Sequence, residues 1–304
     1  MFRISCFGFR VSRRAMVFYP SSQTLSRGEG VRSVCITFVC YNKPVMDTLR
    51  SRIEGIIIDF DGTLAGVSHV VSPRVRAAIA QANDKVKISL CTGRPYKFVT
   101  AHARDLGLET LHVAEGGARV VDRNGKIYWE KTIDPKSVRA LFAIASEEGM
   151  DFLAQIDGID RFDWAPPTEG TFPAMAHVVM HAQERARTET VLARVQAGVP
   201  DVHAILTHYQ EDEASPVMWG ADITAADANK QHALLHLARI EGLDLKNFMA
   251  IGDGYNDFPL LMACGFKVAM GNAVPELKAI ADYVAPTVDE DGMAEVIEKF
   301  VLHQ

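Results

Sequence analysis

The sequence predicts an α/β protein whose main sheet is parallel and doubly wound, with an α+β block inserted into it. Two observations carry this prediction. From Ile53 onward, apolar runs of strand length alternate with amphipathic stretches of helix length, a pattern typical of parallel sheets covered by helices on both faces. Between about Gly117 and Gly220 this alternation gives way to hairpin signals and separate strands, and it resumes beyond that block.

The first part of the predicted parallel sheet contains three strands and two helices. Ser72-Pro73 marks the start of the first helix, because serine is a favoured cap residue and proline is favoured at the first helical position. The predicted elements are strand 56–60, helix 72–83, strand 86–91, helix 95–106 and strand 110–113.

The inserted block begins with a predicted hairpin over 118–128, whose turn is expected at Asn124-Gly125, a dipeptide typical of tight hairpin turns. Three aromatic side chains, Phe162, Trp164 and Phe172, are expected to fill the core of the block, and the alternative is that they line a substrate pocket. The other predicted elements, including the return to the parallel pattern, are helix 136–148, strands within 155–164, helix 188–197, strands 202–209 and 216–223, helix 229–241 and strand 248–251.

These patterns divide the chain into three parts. Residues 1–45 form a basic extension that is expected to be disordered, residues 46–116 and 221–304 form a core, and residues 117–220 form an inserted domain.

Three interpretations of the basic extension stay open. Its Arg- and Ser-rich composition fits a mitochondrial or plastid transit peptide. Ser12-Arg13-Arg14 resembles a twin-arginine export signal, although the polar stretch 19–23 interrupts the apolar run that such a signal needs. The favoured interpretation is a translated upstream region with the natural start at Met46. The expected localisation is cytoplasmic, or mitochondrial or plastid if the extension is a transit peptide.

Charge and composition argue against a nucleic-acid partner and against a membrane-spanning segment. The whole chain carries −6, and its first 45 residues carry +6, which leaves −12 for the remainder. So acidic a body argues against a nucleic-acid partner. No run approaches the roughly 20 apolar residues of a membrane span, and five cysteines form no disulfide framework. A small-molecule partner in a reducing compartment is expected, and the sequence does not determine the oligomeric state.

Two pairs of aspartates follow predicted strands. Asp59 and Asp61 lie two residues apart at the end of a buried strand, so that both side chains point to the same face. One carboxylate could attack phosphorus or bind a metal while the other exchanges a proton. Asp253 and Asp257 follow the strand that ends at Ile251. Four acids from two strand ends would repel one another without a cation, which favours an oxygen-ligated ion such as Mg²⁺.

Further polar residues occupy positions suited to an anion. Thr92 and Gly93 lie where a strand passes into a helix, so that a hydroxyl and backbone N–H groups are available there. Lys230 precedes the helix that leads to the second acidic pair, where its charge could hold a phosphoryl oxygen.

These residues follow one another in the same order as the motifs of the haloacid dehalogenase superfamily, which the sequence resembles over about 250 residues from Gly55 onward. The stretches that carry the likeness to its four motifs are Asp59-Phe60-Asp61-Gly62-Thr63, Thr92, Lys230 and Gly252-Asp253-Gly254-Tyr255-Asn256-Asp257. The stretches similar to its Cof-type branch, subclass IIB, are 91–95, 115–118, 268–273 and 281–284. A departure is Gly116-Gly117, where Asn-Gly is commoner.

The resemblance implies a Rossmann-like core with an α+β cap inserted after the third strand. It also implies Mg²⁺-dependent hydrolysis of a small phosphate monoester, such as a sugar phosphate, through an aspartyl-phosphate intermediate. Asp59 would be the nucleophile and Asp61 the general acid/base. Mg²⁺ would be held by Asp59, the Asp61 carbonyl and Asp253, supported by Asp257, and phosphate would be held by Thr92, Gly93, Lys230 and Asn256.

Two other functions remain open at this stage. The same architecture resembles eukaryotic phosphomannomutases, which transfer phosphate instead of releasing it. A catalytically silent protein that keeps the fold for binding is the second alternative, and the intact acids argue against it. Two histidine pairs, His177 with His181 and His232 with His236, lie four residues apart and are expected to be ordinary histidines without a metal.

Overall fold

The computed structural model describes residues 53–162, 164–167, 172–210 and 214–303. The predicted basic extension, residues 1–45, lies outside the described residues. Within the described part of the chain, no helix combines the length and the apolar character needed to cross a membrane.

A five-stranded parallel sheet forms the core, in the strand order β13-β12-β11-β1-β2. Its strands are β1 (Gly55–Ile58), β2 (Lys87–Leu90), β11 (Phe248–Gly252), β12 (Phe266–Ala269) and β13 (Tyr283–Val284). The core helices are α1 (Pro73–Asn83), α2 (Tyr96–Asp105), α5 (Lys230–Glu241), α6 (Phe258–Ala263), α7 (Pro275–Ile280) and α8 (Gly292–Ile297). All four strand pairings are parallel. The predicted fold class is confirmed.

A second sheet, antiparallel and also five-stranded, has the order β7-β6-β8-β10-β9. Together with two helices it forms what is called the cap below. Its elements are α3 (Pro135–Glu148), β6 (Asp151–Ile156), β7 (Ile159–Arg161), β8 (His177–Ala182), α4 (Arg185–Gly198), β9 (Val202–Tyr209) and β10 (Met218–Ala225). One face of the sheet packs on both helices, and Trp164 and Phe172 join this apolar core as predicted. Phe162 does not, since 66% of it is exposed.

Most predicted elements are found within a few residues of their predicted bounds, but β8 has no counterpart in the prediction. All six of its residues are buried, so the strand shows none of the polar alternation that marks a half-exposed strand. The predicted limit of the inserted domain at residue 220 falls inside β10, and the division into domains stays a prediction.

A three-stranded sheet joins the two parts. It contains β3 (His112–Ala114), β4 (Arg119–Val121) and β5 (Ile127–Glu130), all antiparallel, and β3 touches the parallel sheet through a single parallel bridge between Val113 and Cys91. The predicted hairpin thus pairs with the third core strand.

The connection between β3 and β4 lies directly against the start of α5. Gly116 and Gly117 have φ angles of 66° and 107°, and Glu115, with φ 55°, shares this left-handed backbone. A β-carbon on Gly117 would lie 2.2 Å from the carbonyl carbon of Asn229. Asn229 caps α5 by accepting a hydrogen bond from the backbone N–H of His232 at 2.9 Å. Only glycine at position 117 therefore allows this approach, which fixes the first residue of α5, Lys230.

We expect Gly117→Ala to lower the free energy of unfolding by about 1–3 kcal/mol or more. Alanine is strained at this φ, and its β-carbon would collide with Asn229. Urea denaturation measures the change. Gly198→Ala is the matched control, because a β-carbon at Gly198 has no neighbour within 4 Å. Equal stability of the two variants would contradict the packing described here.

Candidate active site

The polar residues predicted from the sequence meet at the carboxyl end of the parallel sheet, between β1 and β11. These two strands are adjacent, and the chain proceeds from β1 to β2 in one direction and from β11 to β12 in the other. Such a reversal of strand order opens a crevice where ligands bind in doubly wound folds. Asp59 and Asp61 follow β1, and Asp253 follows β11.

The Lys230 ammonium group lies between two carboxylates at the base of this crevice. Its Nζ donates to Asp59 Oδ1 at 2.6 Å and to Asp257 Oδ1 at 2.6 Å. All three side chains are almost completely buried. Because α5 begins at Lys230, the Asn229 cap that starts the helix also places the ammonium group.

The second oxygen of Asp257 holds the loop that follows β11. Asp257 Oδ2 accepts hydrogen bonds from the backbone N–H groups of Asp253 and Gly254, each at 2.9 Å. Both oxygens of Asp257 are therefore engaged by the protein, one by Lys230 and the other by the backbone. This arrangement suits a supporting carboxylate better than a direct metal ligand.

Asp253 is held against the loop that follows β1. Thr63 Oγ1 donates to Asp253 Oδ1 at 3.2 Å, and Asn272 Nδ2 donates to Asp253 Oδ2 at 3.2 Å and to the Gly62 carbonyl at 2.8 Å. Gly62 has φ 74°, and a β-carbon there would lie 2.3 Å from Asp253 Oδ2. Glycine is thus required for the two loops to approach each other.

Burial and the crowding of the carboxylates shift their pKa values. Burial, reinforced by Asp257, raises the pKa of Asp59 well above its usual value, although Lys230 opposes the shift. Burial and Asp257 likewise raise the pKa of Asp253 to about 8. Burial alone would lower the pKa of Lys230, but Asp257 and Asp59 outweigh it, and the pKa is raised. The site therefore holds more negative charge than one ammonium group neutralises.

These carboxylates form the acidic group best suited to a cation among the described residues. Ligand oxygens of Asp59, Asp253 and Asp257 all lie within 4.8 Å of one another. Buried carboxylates with raised pKa values are unsatisfied as anions, and hard oxygen donors are the ligands of Mg²⁺. The carboxylates of Asp59 and Asp253, with Asp257 as a supporting neighbour, fit the predicted metal.

Asp61 is not a member of this group and is bound by side chains from other loops. Arg94 Nε donates to Asp61 Oδ2 at 2.9 Å and Arg94 Nη2 donates to Asp61 Oδ1 at 2.8 Å, while His69 Nδ1 lies 3.2 Å from Oδ1. Burial would raise the pKa of Asp61, but hydrogen bonds with His69 and Arg94 outweigh it and lower the pKa to about 2.

The remaining predicted residues surround the same crevice. Thr92 and Gly93 follow β2, the neighbour of β1, and Thr92 Oγ1 accepts from the backbone N–H of Arg94 at 3.2 Å. Asn256 lies in the turn between Asp253 and Asp257 and is half-buried. Their predicted roles toward phosphate stay predictions.

Arg94, His69 and Asn272 had no role predicted from the sequence. Arg94 and Asn272 belong to stretches that carried the family resemblance, so the sequence could have marked them as candidate site residues. His69 lies in a loop with an unusual φ of 55° and had no signal in the sequence. Of the histidine pairs, His177 and His181 lie in strand β8 and not in a helix, and His236 in α5 stacks on Trp129.

Comparison with known proteins agrees with this geometry. The chain is 27% identical over 252 residues to 5-amino-6-(5-phospho-D-ribitylamino)uracil phosphatase YcsE of Bacillus subtilis, covering 82% of the chain and 96% of that protein. It is 28% identical over 285 residues to phosphatase YwpJ of Bacillus subtilis, covering 80% and 98%. The solved structure of the subclass IIB sugar phosphatase BT4131 has a TM-score of 0.66 at 22% identity, covering 82% and 99%.

The family model of the haloacid dehalogenase-like hydrolases matches residues 56–159 and 202–297. These two ranges contain every acidic residue of the crevice. The predicted family and its Cof-type branch are confirmed, and the solved subclass IIB structure has the same fold. The chain belongs to the haloacid dehalogenase-like hydrolases.

Proposed function

We propose that the chain is a Mg²⁺-dependent phosphatase that hydrolyses a small phosphate monoester through a phosphorylated Asp59. The observation that carries this proposal is the buried contact of Lys230 with Asp59 and Asp257 at the switch point of the parallel sheet. The phosphatase names of the relatives support the reaction class. A sugar phosphate or a similar metabolite is the proposed kind of substrate.

The proposed first step forms one bond and breaks another. An Asp59 carboxylate oxygen attacks phosphorus, and the bond from phosphorus to the ester oxygen of the leaving group breaks. Asp61 gives a proton to that oxygen, so that the leaving group departs as an alcohol. Water then attacks the phosphorus of the aspartyl phosphate while Asp61 takes a proton from the water. The bond from phosphorus to the Asp59 oxygen breaks, so that inorganic phosphate is released and the Asp59 carboxylate is restored.

Arg94 and His69 orient the Asp61 carboxylate for the proposed proton transfers. Their hydrogen bonds favour the ionised form, which suits the second step, in which Asp61 accepts a proton. Proton donation in the first step requires Asp61 to be released from Arg94. A dianionic phosphate ester is a competing partner for the Arg94 guanidinium group, so substrate binding itself favours this release.

Asp59 and Asp253 would hold Mg²⁺ in this proposal, together with the backbone carbonyl of Asp61. When bound, the ion would supply positive charge that offsets repulsion between the carboxylates and the phosphate. Asp257 stands behind Asp253 and Lys230 and fixes both. Thr92, Gly93, Lys230 and Asn256 would bind phosphoryl oxygens.

Asp59→Asn should lower kcat for a phosphate monoester by at least about a thousandfold, because an amide is a far weaker nucleophile than a carboxylate. Phosphate release measures turnover, and acid quenching with a radiolabelled substrate should trap phosphorylated protein only with Asp59 present. Asp227→Asn, whose side chain is 81% exposed, is the control. Retained turnover in Asp59→Asn would refute the mechanism, and phosphate moved within a sugar would indicate a mutase.

Affinity for Mg²⁺ should rise between pH 6 and pH 8, by up to about tenfold per pH unit. Burial and Asp257 raise the pKa of Asp253 to about 8, so that a proton competes with the ion at lower pH. Calorimetric titration of the metal-free protein with MgCl₂ measures this. Asp253→Asn should bind Mg²⁺ weakly at every pH. An affinity of the wild-type protein that does not change with pH would contradict the assignment of Asp253 as a ligand.

Lys230→Met should lower the free energy of unfolding in metal-free buffer by about 3–5 kcal/mol, because it leaves two buried carboxylates without their shared cation. Urea denaturation provides the measurement. Lys246→Met, at an exposed position, is the matched control and should change stability by less than about 0.5 kcal/mol. If the two variants were equally stable, Lys230 would have no such structural role.

A further inference from the structure

The loop that follows β12 lies against the loop that carries Asp253. The backbone N–H of Met270 donates to the Gly252 carbonyl at 3.0 Å. Four residues later, the backbone N–H of Val274 donates to the Asp253 carbonyl at 2.9 Å. Asn272 lies midway between these two bonds, so the backbone on both sides of it is fixed relative to Asp253.

The side chain of Asn272 connects the loops of four neighbouring strands. From the loop after β12, its Nδ2 donates to the Gly62 carbonyl after β1 at 2.8 Å and to Asp253 Oδ2 after β11 at 3.2 Å. Its Oδ1 accepts from the backbone N–H of Val288, in the segment after β13, at 3.0 Å. Because the oxygen faces a donor and the nitrogen faces two acceptors, a single orientation of the amide satisfies all three contacts.

Asn272 and Thr63 together hold both oxygens of the Asp253 carboxylate. Thr63 Oγ1 donates to Oδ1 at 3.2 Å, and Asn272 Nδ2 donates to Oδ2 at the same distance. Both donors are neutral, so they restrain the rotation of the carboxylate without neutralising its charge. An ionised carboxylate has about four lone-pair sites, which leaves sites on the restrained group for a cation.

The contacts of Asn272 orient Asp253 and add little to the stability of the fold. Asn272 is exposed to solvent, and an exposed amide exchanges its bonds with water for bonds within the protein at a small net gain. The nitrogen of the amide, and not its oxygen, faces Asp253. Asn272 is therefore placed to orient a metal ligand, and it is not itself a ligand.

We propose that Asn272 is a positioning residue that holds the Asp253 carboxylate in one orientation and thereby makes the site favour Mg²⁺ over Ca²⁺. Mg²⁺ demands near-ideal octahedral geometry, whereas Ca²⁺ accepts irregular geometry and carboxylates that bind through one or both oxygens. A restrained carboxylate suits the first ion, and a freely rotating one suits the second. The inference rests on the proposed Mg²⁺-dependent phosphatase function and adds to it the residue that sets the preference for the ion.

The test titrates the metal-free, full-length protein with MgCl₂ and with CaCl₂ in a calorimeter at pH 8. Asn272→Leu removes the amide and keeps a side chain of similar size. It should lower the affinity for Mg²⁺ by about tenfold to a hundredfold, and the affinity for Ca²⁺ by much less. Asn247→Leu is the matched control and should change neither affinity. Asn247 Nδ2 also donates to a carboxylate, Glu54 Oε1 at 2.9 Å, at the opposite end of β1 and β11.

A second measurement separates this role from a general loosening of the site. Phosphate release by Asn272→Leu should need about tenfold or more Mg²⁺ for half of its maximal rate, while kcat at saturating Mg²⁺ stays close to that of the wild type. Urea denaturation checks folding, and Asn272→Ala replaces Asn272→Leu if the leucine variant is unfolded.

Three results would overturn the role of Asn272 while the phosphatase function stands: an unchanged affinity for Mg²⁺, an equal loss of affinity for both ions, or a loss of kcat that excess Mg²⁺ does not restore. A wild-type protein that binds no Mg²⁺ in the calorimeter would overturn both this inference and the proposed Mg²⁺-dependent function.

Discussion

The rest of the site depends on one buried interaction, the contact of the Lys230 ammonium group with Asp59 and Asp257. Moving a carboxylate out of water is unfavourable unless its charge is compensated, and here two carboxylates share one cation at 2.6 Å each. The contact joins the end of β1, the start of α5 and the loop after β11. These segments are separated in sequence, and the pairing of β1 with β11 in the parallel sheet brings them together.

Several backbone features allow the segments that carry Lys230, Asp59 and Asp257 to approach one another. Gly117 lets the chain between β3 and β4 pass against Asn229, and Asn229 caps the helix that begins with Lys230. Gly62 lets the loop after β1 approach Asp253. Asp257 completes the arrangement, because it binds Lys230 with one oxygen and the backbone of its own loop with the other. Burial, together with the negative charge that Lys230 leaves uncompensated, accounts for the raised pKa values of Asp59 and Asp253 and for the fit to a divalent cation.

The cap contributes a different kind of constraint. Its sheet buries apolar residues against two helices on one face and sets buried polar residues against the Gly93 loop on the other. Separating a rigid reaction site from a selecting surface allows the same chemistry to serve different leaving groups. In this protein, the cap face that meets the Gly93 loop carries Gln155, His177 and Asp222, which lie on the neighbouring strands β6, β8 and β10.

By itself, the sequence determined the parallel fold, the family and the acidic pairs, because buried strands and the motifs that follow them are local patterns. It also predicted Lys230 and the interruption of the parallel sheet by the cap. Only the tertiary structure decided that Asp61 is bound by Arg94 and His69, that Asp257 faces Lys230 and the backbone, and that Gln155 pairs with His177. Those contacts join loops or strands that are distant in the chain, and β8 lacks the alternation that would have marked it as a strand. Periodicity reports which face a residue shares with its near neighbours, whereas the packing of the whole sheet decides which distant residue it meets.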